Sequence, residues 1–421
     1  MSRTENTAAE TDIMIEWYRS VFEYQTDTTP AEPPSTADPP MIIRRNFHQY
    51  YNLGEIQQQR KYNIEHVCDK SNHNFYLKSS SSNVAKRLYI DRRQHLVYCP
   101  IQKVGSTFMR SLLSKVNSTV KRNIDTRWRP ASKSITEIRE ITDIHYFLSS
   151  SFKFMFTREP YSRLFSGYVD KLISVNTIYW KLTGTYIKMK FLQPNRKPPS
   201  PCGHDITFPQ FIRYVIEAER TGEHRDHHYT PIYEHCQPCQ ISYDFIGKME
   251  TVENDSLTLL NAWNKRFGSN ITFANFEVDT AVDRVTGHIN RLYKMRTDME
   301  KCISFNAGLR RQWREFQIRG IIPKNDPFPF TISETKNMNR IKIEEVFINT
   351  IKSATDRQAL QQQRKESLIQ AYRQVPMEDL IKLREVVRPD CELFGYNVSP
   401  DYIFDRSGSL DMTFNYFDIE D

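Results

Sequence analysis

Residues 95–116 read HLVYCPIQKVGSTFMRSLLSKV, and the order of residue types in this stretch decides the fold. Leu96, Val97 and Tyr98 form a short apolar run suited to a buried strand, residues 103–107 turn the chain, and Met109, Leu112, Leu113 and Val116 recur at helical spacing. The helix start leaves backbone N–H groups unpaired and points the positive end of its dipole into the turn. Lys103, Val104, Gly105, Ser106 and Thr107 therefore form a candidate anion site, most often one for phosphate. Many strand-turn-helix joints bind nothing, and on this stretch alone both readings stand. The spacing Gly-x-x-x-x-Gly-Lys-Ser/Thr is absent, so hydrolysis of a nucleoside triphosphate with magnesium has no support here.

A second joint follows. FKFMFT, residues 152–157, reads as a strand, and REPYSRLFSGYVDKL runs straight on from it with Pro160 in the first turn of a helix. Arg158 leaves the strand where the chain turns, which suits a fork of donors aimed at phosphate, and Ser166 lies roughly two helical turns further on. Arg158 with Glu159 also reads as a surface ion pair, and Arg163 as part of a solvated helix face. Two such joints side by side at the carboxyl edge of a parallel sheet would hold a ligand with two separate phosphates. The pair favours the anion-site reading over the plainer one.

These segments resemble those of the Golgi carbohydrate sulfotransferases of the chondroitin and dermatan 4-O-sulfotransferase type. IQKVGSTFMRS, residues 101–111, is similar to the family's VPKVxxTNWKR, and FTREPYSRLFSGYVDKL, residues 156–172, to its FVREPFERLVSAYRxKF. Three further stretches agree. IQQQRKYNIEHVCDK resembles the stem-to-domain helix, DHHYTPIYEHCQPCQISYDFIGKMET the HW…LCxPCxIxYDxVGKxET block, and DCELFGY the C-terminal DFxxFNY. The likeness runs over roughly residues 55–396, with 177–207 and 268–325 not recognisably covered. Gln102, Phe108, Met109, Val169 and Tyr229 depart from the pattern, while Lys103, Thr107, Arg158 and Ser166 keep it.

The resemblance implies an α/β, P-loop-like sulfotransferase fold with a central parallel sheet flanked by helices. It implies 3′-phosphoadenosine 5′-phosphosulfate as sulfuryl donor, with Lys103 to Thr107 on the 5′-phosphosulfate end and Arg158 and Ser166 on the 3′-phosphate. Lys103 is expected on the bridging oxygen, where negative charge grows as the phosphate leaves, and no metal is required. His228 matches the family's HW histidine and is the candidate base for the acceptor hydroxyl, with His227, Glu159 and Glu234 as rivals. A loop histidine also serves often as a hydrogen-bonding fixture. The implied acceptor is a glycan, of chondroitin, dermatan, N-glycan or glycolipid type, and the implied location is the Golgi lumen or membrane.

The bulk properties bound these expectations. The chain has 421 residues, 39% of them hydrophobic, enough for a full core in one elaborated domain. A net charge of +7 suits an acidic partner without naming it, and on charge alone nucleic acid, acidic glycans and membrane surfaces all stay open. With the resemblance, a glycan is expected, nucleic acid is not, and membrane contact is expected only through an anchor that this sequence does not contain. No run is long enough to span a bilayer, and the N-terminus lacks the basic-then-apolar layout of a signal peptide. Sequons at Asn117, Asn254, Asn270 and Asn397 point towards a lumen. Of seven cysteines only Cys236 and Cys239 are close. His227, His228 and His235 lie near them at no standard zinc spacing, so a disulfide from this pair to a distant cysteine fits a luminal protein better.

Residues 1–53 are expected as a disordered, proline-rich tail or stem, 54–400 as the sulfotransferase domain, and 401–421 as a C-terminal tail. Residues 71–83 read as a loop, and Ile135, Ile138, Ile141 and Ile144 as one face of a packing helix. Residues 177–207 read as a basic, irregular surface insertion, and 268–325 as an arginine-rich insertion with helical periods and no clear site. FPFTISETKN reads as a loop or edge strand, followed by helices near 341–353 and 377–387. A competing function uses Lys181, Lys188, Lys190, Arg196 and Lys197 as the face of a catalytically idle protein that binds acidic glycans. A nucleotide kinase is the weaker third reading.

Overall fold

Leu96, Val97, Tyr98 and Cys99 are all buried, so the strand they form is an inner strand. The computed structural model describes residues 54–70, 88–91, 94–120, 144–191, 202–268, 270–273, 275–408 and 413–419. The tail at 1–53, the loop at 71–83, Ile135, Ile138 and Ile141 of the isoleucine helix, and Arg196 and Lys197 lie outside the described residues.

Helix α1 (Gly54–Lys70) precedes β1 (Tyr89–Asp91), β2 (Leu96–Cys99), α2 (Ser106–Val120), α3 (Ile144–Ser150), β3 (Phe152–Thr157) and α4 (Pro160–Tyr168). Next come α5 (Thr185–Lys190), α6 (Phe208–Thr221), α7 (Ile232–Cys236), β4 (Phe245–Lys248), α8 (Val252–Phe267), α9 (Phe276–Lys294) and α10 (Phe305–Ile318). α11 (Ile332–Asn337), α12 (Arg340–Ser353), α13 (Arg357–Arg373) and α14 (Met377–Phe394) follow, then a short helix Asp401–Phe404. The sheet order is β1-β2-β3-β4. β2, β3 and β4 are parallel, with Tyr98 opposite Phe154 and Phe154 opposite Phe245, while β1 pairs antiparallel with β2. The expected parallel sheet thus carries one antiparallel edge.

Three apolar clusters hold the chain together. The sheet cluster joins Tyr98, Phe154, Phe156 and Phe245 to Trp263 of α8. A second cluster packs α4 against α6, α13 and α14 through Tyr161, Phe208, Phe211, Tyr372 and Leu383. A third gathers Trp180, Ile289, Trp313, Phe316 and Phe347. Gly247 lets β4 lie against β3, since a Cβ there would stand 2.3 Å from the Phe156 ring.

Two segments differ from the sequence reading. Residues 177–191 are helical, with Trp180 and Ile187 fully buried, and Cys202 is joined to Cys302. This part is core, not surface, because Trp180 joins the cluster of Trp313 and Phe316 on α10 and Ile187 that of Phe208 and Phe211 on α6. The C-terminal tail also docks. Tyr416 is buried, donates its backbone N–H to Gln370 Oε1 at 2.7 Å and its hydroxyl to Glu366 at 3.0 Å, and Ile403 is buried as well. Its acidic composition hid these aromatic anchors.

Candidate active site

Both strand-to-helix joints open at the carboxyl edge of the parallel strands. Lys103 sits in the loop with φ 65°, a left-handed conformation uncommon for a residue with a side chain, and Gly105 follows with φ 66°. α2 begins at Ser106, which is buried with Val104, while Thr107 is exposed. Met249 lies 3.0 Å from where a Cβ on Gly105 would stand, so the glycine admits the neighbouring β4 end as well as a left-handed turn.

The second joint grips the first. Arg158 Nη1 donates to the carbonyl oxygen of Lys103 at 3.2 Å. Arg163 Nε donates to the carbonyl of Gln102 at 3.1 Å and its Nη1 to the carbonyl of Thr230 at 2.7 Å. Arg163 is 2% exposed, so the solvated-face reading is overturned: its guanidinium ties the loop to the segment carrying His228. Arg158 and Glu159 do not pair with each other in a surface bridge. The Glu159 carboxylate caps α4 by accepting from the N–H groups of Tyr161 and Ser162, at 3.1 and 2.7 Å. Ser166 is buried on α4 beside Gly167, where a Cβ would stand 2.7 Å from the Tyr229 ring and 3.8 Å from the Lys103 stem.

The Lys103 ammonium donates to Asp170 Oδ2. Lys171 Nζ lies 3.4 Å from the same oxygen, Arg291 Nη1 3.3 Å from Oδ1, and His288 Nε2 3.6 Å from Oδ1. Burial pushes Lys103 down to about 7, with Asp170 opposing and Lys171 and Arg319 adding to the fall. Burial likewise pushes Arg158 down to about 10. Glu250 opposes, and Arg364, Arg319 and Arg284 add to the fall. Arg284 is pushed down to about 10 and Arg364 is lowered as well, chiefly by loss of water around the guanidinium, with Arg319 adding to the fall in both.

His228 is buried. Its Nδ1 lies 2.6 Å from Asp226 Oδ1 and 2.8 Å from the Tyr179 hydroxyl, and burial pushes the imidazole down to about 4. It is therefore neutral at pH 7 and able to take a proton. Lys171 lies over the Tyr179 ring at 4.5 Å, so contacts run from Lys103 through Asp170, Lys171 and Tyr179 to His228. The rivals have other partners. Glu159 is a helix cap, Glu234 pairs with Arg225 at 2.8 Å, and His227 is the more exposed neighbour, 3.8 Å from Asp226.

Asp170, Lys171, His288, Arg291 and Arg319 were not singled out by sequence reasoning. The first two stand in a quoted motif, and their mixed charge at a helix end was the available signal. The other three lie in 268–325, where the sequence shows no clear site; α9 brings His288 and Arg291 to Asp170 in the π-helical turn Val169–Ile173, and Glu315 of α10, fully buried, holds His288 at 3.0 Å and Arg319. The proposed basic face at 177–207 is also corrected in part. Lys181 pairs with Asp298 at 3.3 Å, Lys188 with Asp205, and Lys190 with Glu217 at 3.2 Å.

Cys236 and Cys239 bond to distant partners, Cys99 and Cys68 respectively. The first joins the end of β2 to α7 and leaves no thiolate for zinc. Asp226, His227 and His228 are close enough to share an ion, but His228 Nδ1 and backbone N–H already engage Asp226 Oδ1.

Residues 86–297 match the sulfotransferase family. Carbohydrate sulfotransferase 14 of Mus musculus is 32% identical over 179 residues, 42% of this chain and 46% of that protein. Carbohydrate sulfotransferase 8 of Mus musculus is 26% identical over 254 residues, 58% and 59% of the two chains. Carbohydrate sulfotransferase 11 of Rattus norvegicus is 30% identical over 216 residues, 49% and 61%. The chain spans about half the length of the curated relatives it matches. No solved structure matches. Half of the chain, with the Lys103 loop, Arg158 and the Cys-x-Pro-Cys block inside it, falls in the matched span, and the chain belongs to the sulfotransferase family.

Proposed function

We propose that the protein transfers a sulfuryl group from 3′-phosphoadenosine 5′-phosphosulfate to a hydroxyl of a glycan. One observation supports this above the others: Lys103, Lys171 and Arg291 surround the single carboxylate of Asp170, leaving a surplus of positive charge at the N-terminus of α2, beside a neutral histidine. A doubly phosphorylated donor fits that surplus, with the loop N–H groups of Gly105 to Thr107 on the 5′-phosphate and Arg158 and Ser166 on the 3′-phosphate.

With Nδ1 of His228 engaged by Asp226 and Tyr179, proton uptake falls to Nε2. The acceptor oxygen bonds to sulfur, the bond from sulfur to the phosphate oxygen breaks, and the hydroxyl proton passes to His228. Lys103 neutralises the departing phosphate oxygen, and the products are a sulfate ester and adenosine 3′,5′-bisphosphate. Metal chemistry has no part in this scheme. Acceptors of chondroitin, dermatan, N-glycan or glycolipid type are proposed, and the cations Arg284 and Arg364, each within electrostatic reach of Arg158, favour an acidic one.

Three disulfides among the described residues suit an oxidising compartment, and a Golgi location is proposed on that ground. Asn254, Asn270 and Asn397 of the sequons are exposed. No helix of the described residues is long and apolar enough to cross a membrane. Incubation with labelled donor and a panel of desulfated chondroitin, dermatan and N-glycans tests the function: label entering a glycan is the expected result. Retention on immobilised adenosine 3′,5′-bisphosphate with no label in any glycan overturns transfer and favours an idle, glycan-binding relative.

A further inference from the structure

Asp170 is the buried charged group beside the loop to which the transfer chemistry assigns no task. It lies in the π-helical turn Val169–Ile173, which closes with the N–H of Ser174 on the carbonyl of Val169 at 2.8 Å. Wide turns of this kind inside helical runs recur at functional sites. Its side chain is 9% exposed, and its two oxygens meet Lys103, Lys171, Arg291 and His288.

We propose that Asp170 is a positioning residue for Lys103, which aims the ammonium across the anion site and favours its charged form, while Lys171 and Arg291 share the carboxylate so that the grip is loose enough to yield to a donor phosphate. The inference rests on Lys103 being the donor-binding lysine. Lys103 starts from a left-handed backbone position, held by Arg158 on its own carbonyl and Arg163 on that of Gln102, and its stem passes the bare Cα of Gly167. Its direction is thereby set towards the π-turn, where Asp170 receives it.

The charge argument runs the same way. Lys103 faces Asp170 and Lys171 from the π-turn and Arg319 from the end of α10, and Arg291 and His288 reach Asp170 from α9. His288 is neutral at pH 7, since burial holds it at about 4, with Nδ1 on Glu315 at 3.0 Å. Among these groups Asp170 alone favours the ammonium. A neutral amine would offer the leaving oxygen no charge, so the carboxylate is needed before the donor arrives. A lone Asp170–Lys103 pair would compete with that donor. Arg291 and Lys171 dilute the competition.

Competitive acetylation with acetic anhydride, read by peptide mass spectrometry on the folded full chain, follows the titration of Lys103 without needing turnover. In Asp170→Asn the midpoint is expected to fall by about one pH unit or more, in Asp170→Glu to stay near wild type, and in Arg291→Gln to rise. An unchanged midpoint in Asp170→Asn overturns the proposal. If that variant does not fold, Arg291→Gln decides, and a midpoint that is unchanged or lower overturns it. In turnover assays the basic limb of the pH–rate profile of Asp170→Asn moves to lower pH, a shift that a merely structural aspartate would not produce. A wild-type protein that transfers no sulfate removes the proposed function, yet the labelling still reports whether Asp170 governs Lys103.

Discussion

The guanidinium of Arg158, at the end of β3, donates to the carbonyl oxygen of Lys103 in the loop after β2, so the two phosphate-binding candidates are built as one piece. Removing either should therefore harm more than its own contact. Lys103→Ala and Arg158→Ala are each expected to weaken binding of adenosine 3′,5′-bisphosphate by about 2–3 kcal/mol, roughly 30- to 150-fold. Arg158→Lys should recover only part of this, because the fork is lost. Isothermal titration calorimetry measures it, and wild-type affinity in both alanine variants would rule out the donor site.

Donor binding should depend on pH through Lys103. The charged amine binds the phosphate, and burial places its midpoint at about 7, so charge is present below that value and lost above it. Affinity for the bisphosphate is expected to be flat below about pH 6 and to fall with a limiting slope of one proton between about pH 7 and 9. Binding that is level across pH 6–9 would contradict a lysine of lowered proton affinity at the site.

His228→Ala should separate chemistry from binding. Turnover is expected to drop by about 10²–10⁴-fold while bisphosphate affinity stays within about twofold. Asp226→Asn, which disturbs the orienting partner 2.6 Å from Nδ1, should reduce turnover less. Glycan sulfation rates at saturating donor give the comparison, and near-normal turnover in His228→Ala would dismiss it as the base.

The Cys99–Cys236 bridge closes a loop with a sequence separation of 137 and fastens the end of β2 to the segment after His228. The double variant Cys99→Ser/Cys236→Ser should lose about 3–5 kcal/mol of stability, the upper end being the chain-entropy value for so long a loop. Denaturant unfolding with reducing agent withheld measures the difference. A stability within about 1 kcal/mol of wild type would show that the bridge constrains little.

Much of this architecture was legible locally. The apolar run at Leu96 to Cys99, the loop at Lys103 and the strand Phe152–Thr157 with Pro160 behind it are short-range patterns, and each forms where its residues indicate. The motifs of the resemblance also meet in space. Asp390 of DCELFGY accepts from the N–H groups of Ile232 and Tyr233 at the start of α7, and Tyr396 donates to Glu250. What the sequence did not display is convergence. Arg291, His288, Glu315 and Arg319 become site residues only because α9 and α10 fold back over the π-turn, and no spacing along the chain encodes that return. Local differences have local reasons: FPFTISETKN reads as loop or edge strand, but Thr331 and Glu334 form a capping box that starts α11. α13 carries no helical signal in the sequence because its QQQRKE face lacks an apolar stripe, and buried Gln363, Ser367 and Gln370 satisfy backbone groups instead.

The stretch matched to the sulfotransferase family ends at residue 297, within the short helix Arg296–Met299 that follows α9, whereas Glu315 and the aromatic partners of α9 lie beyond it. A fragment cut at that boundary would keep Lys103, Arg158 and His228 but leave Val285, Ile289 and Leu292 without Trp313, Phe316 and Phe347 to cover them. Such a fragment is a poor unit for expression, prone to self-association. Chimeras between relatives would have to move the helices from α9 to α12 as a block, together with Cys202 and Cys302, whose bond fastens the block to the rest of the chain.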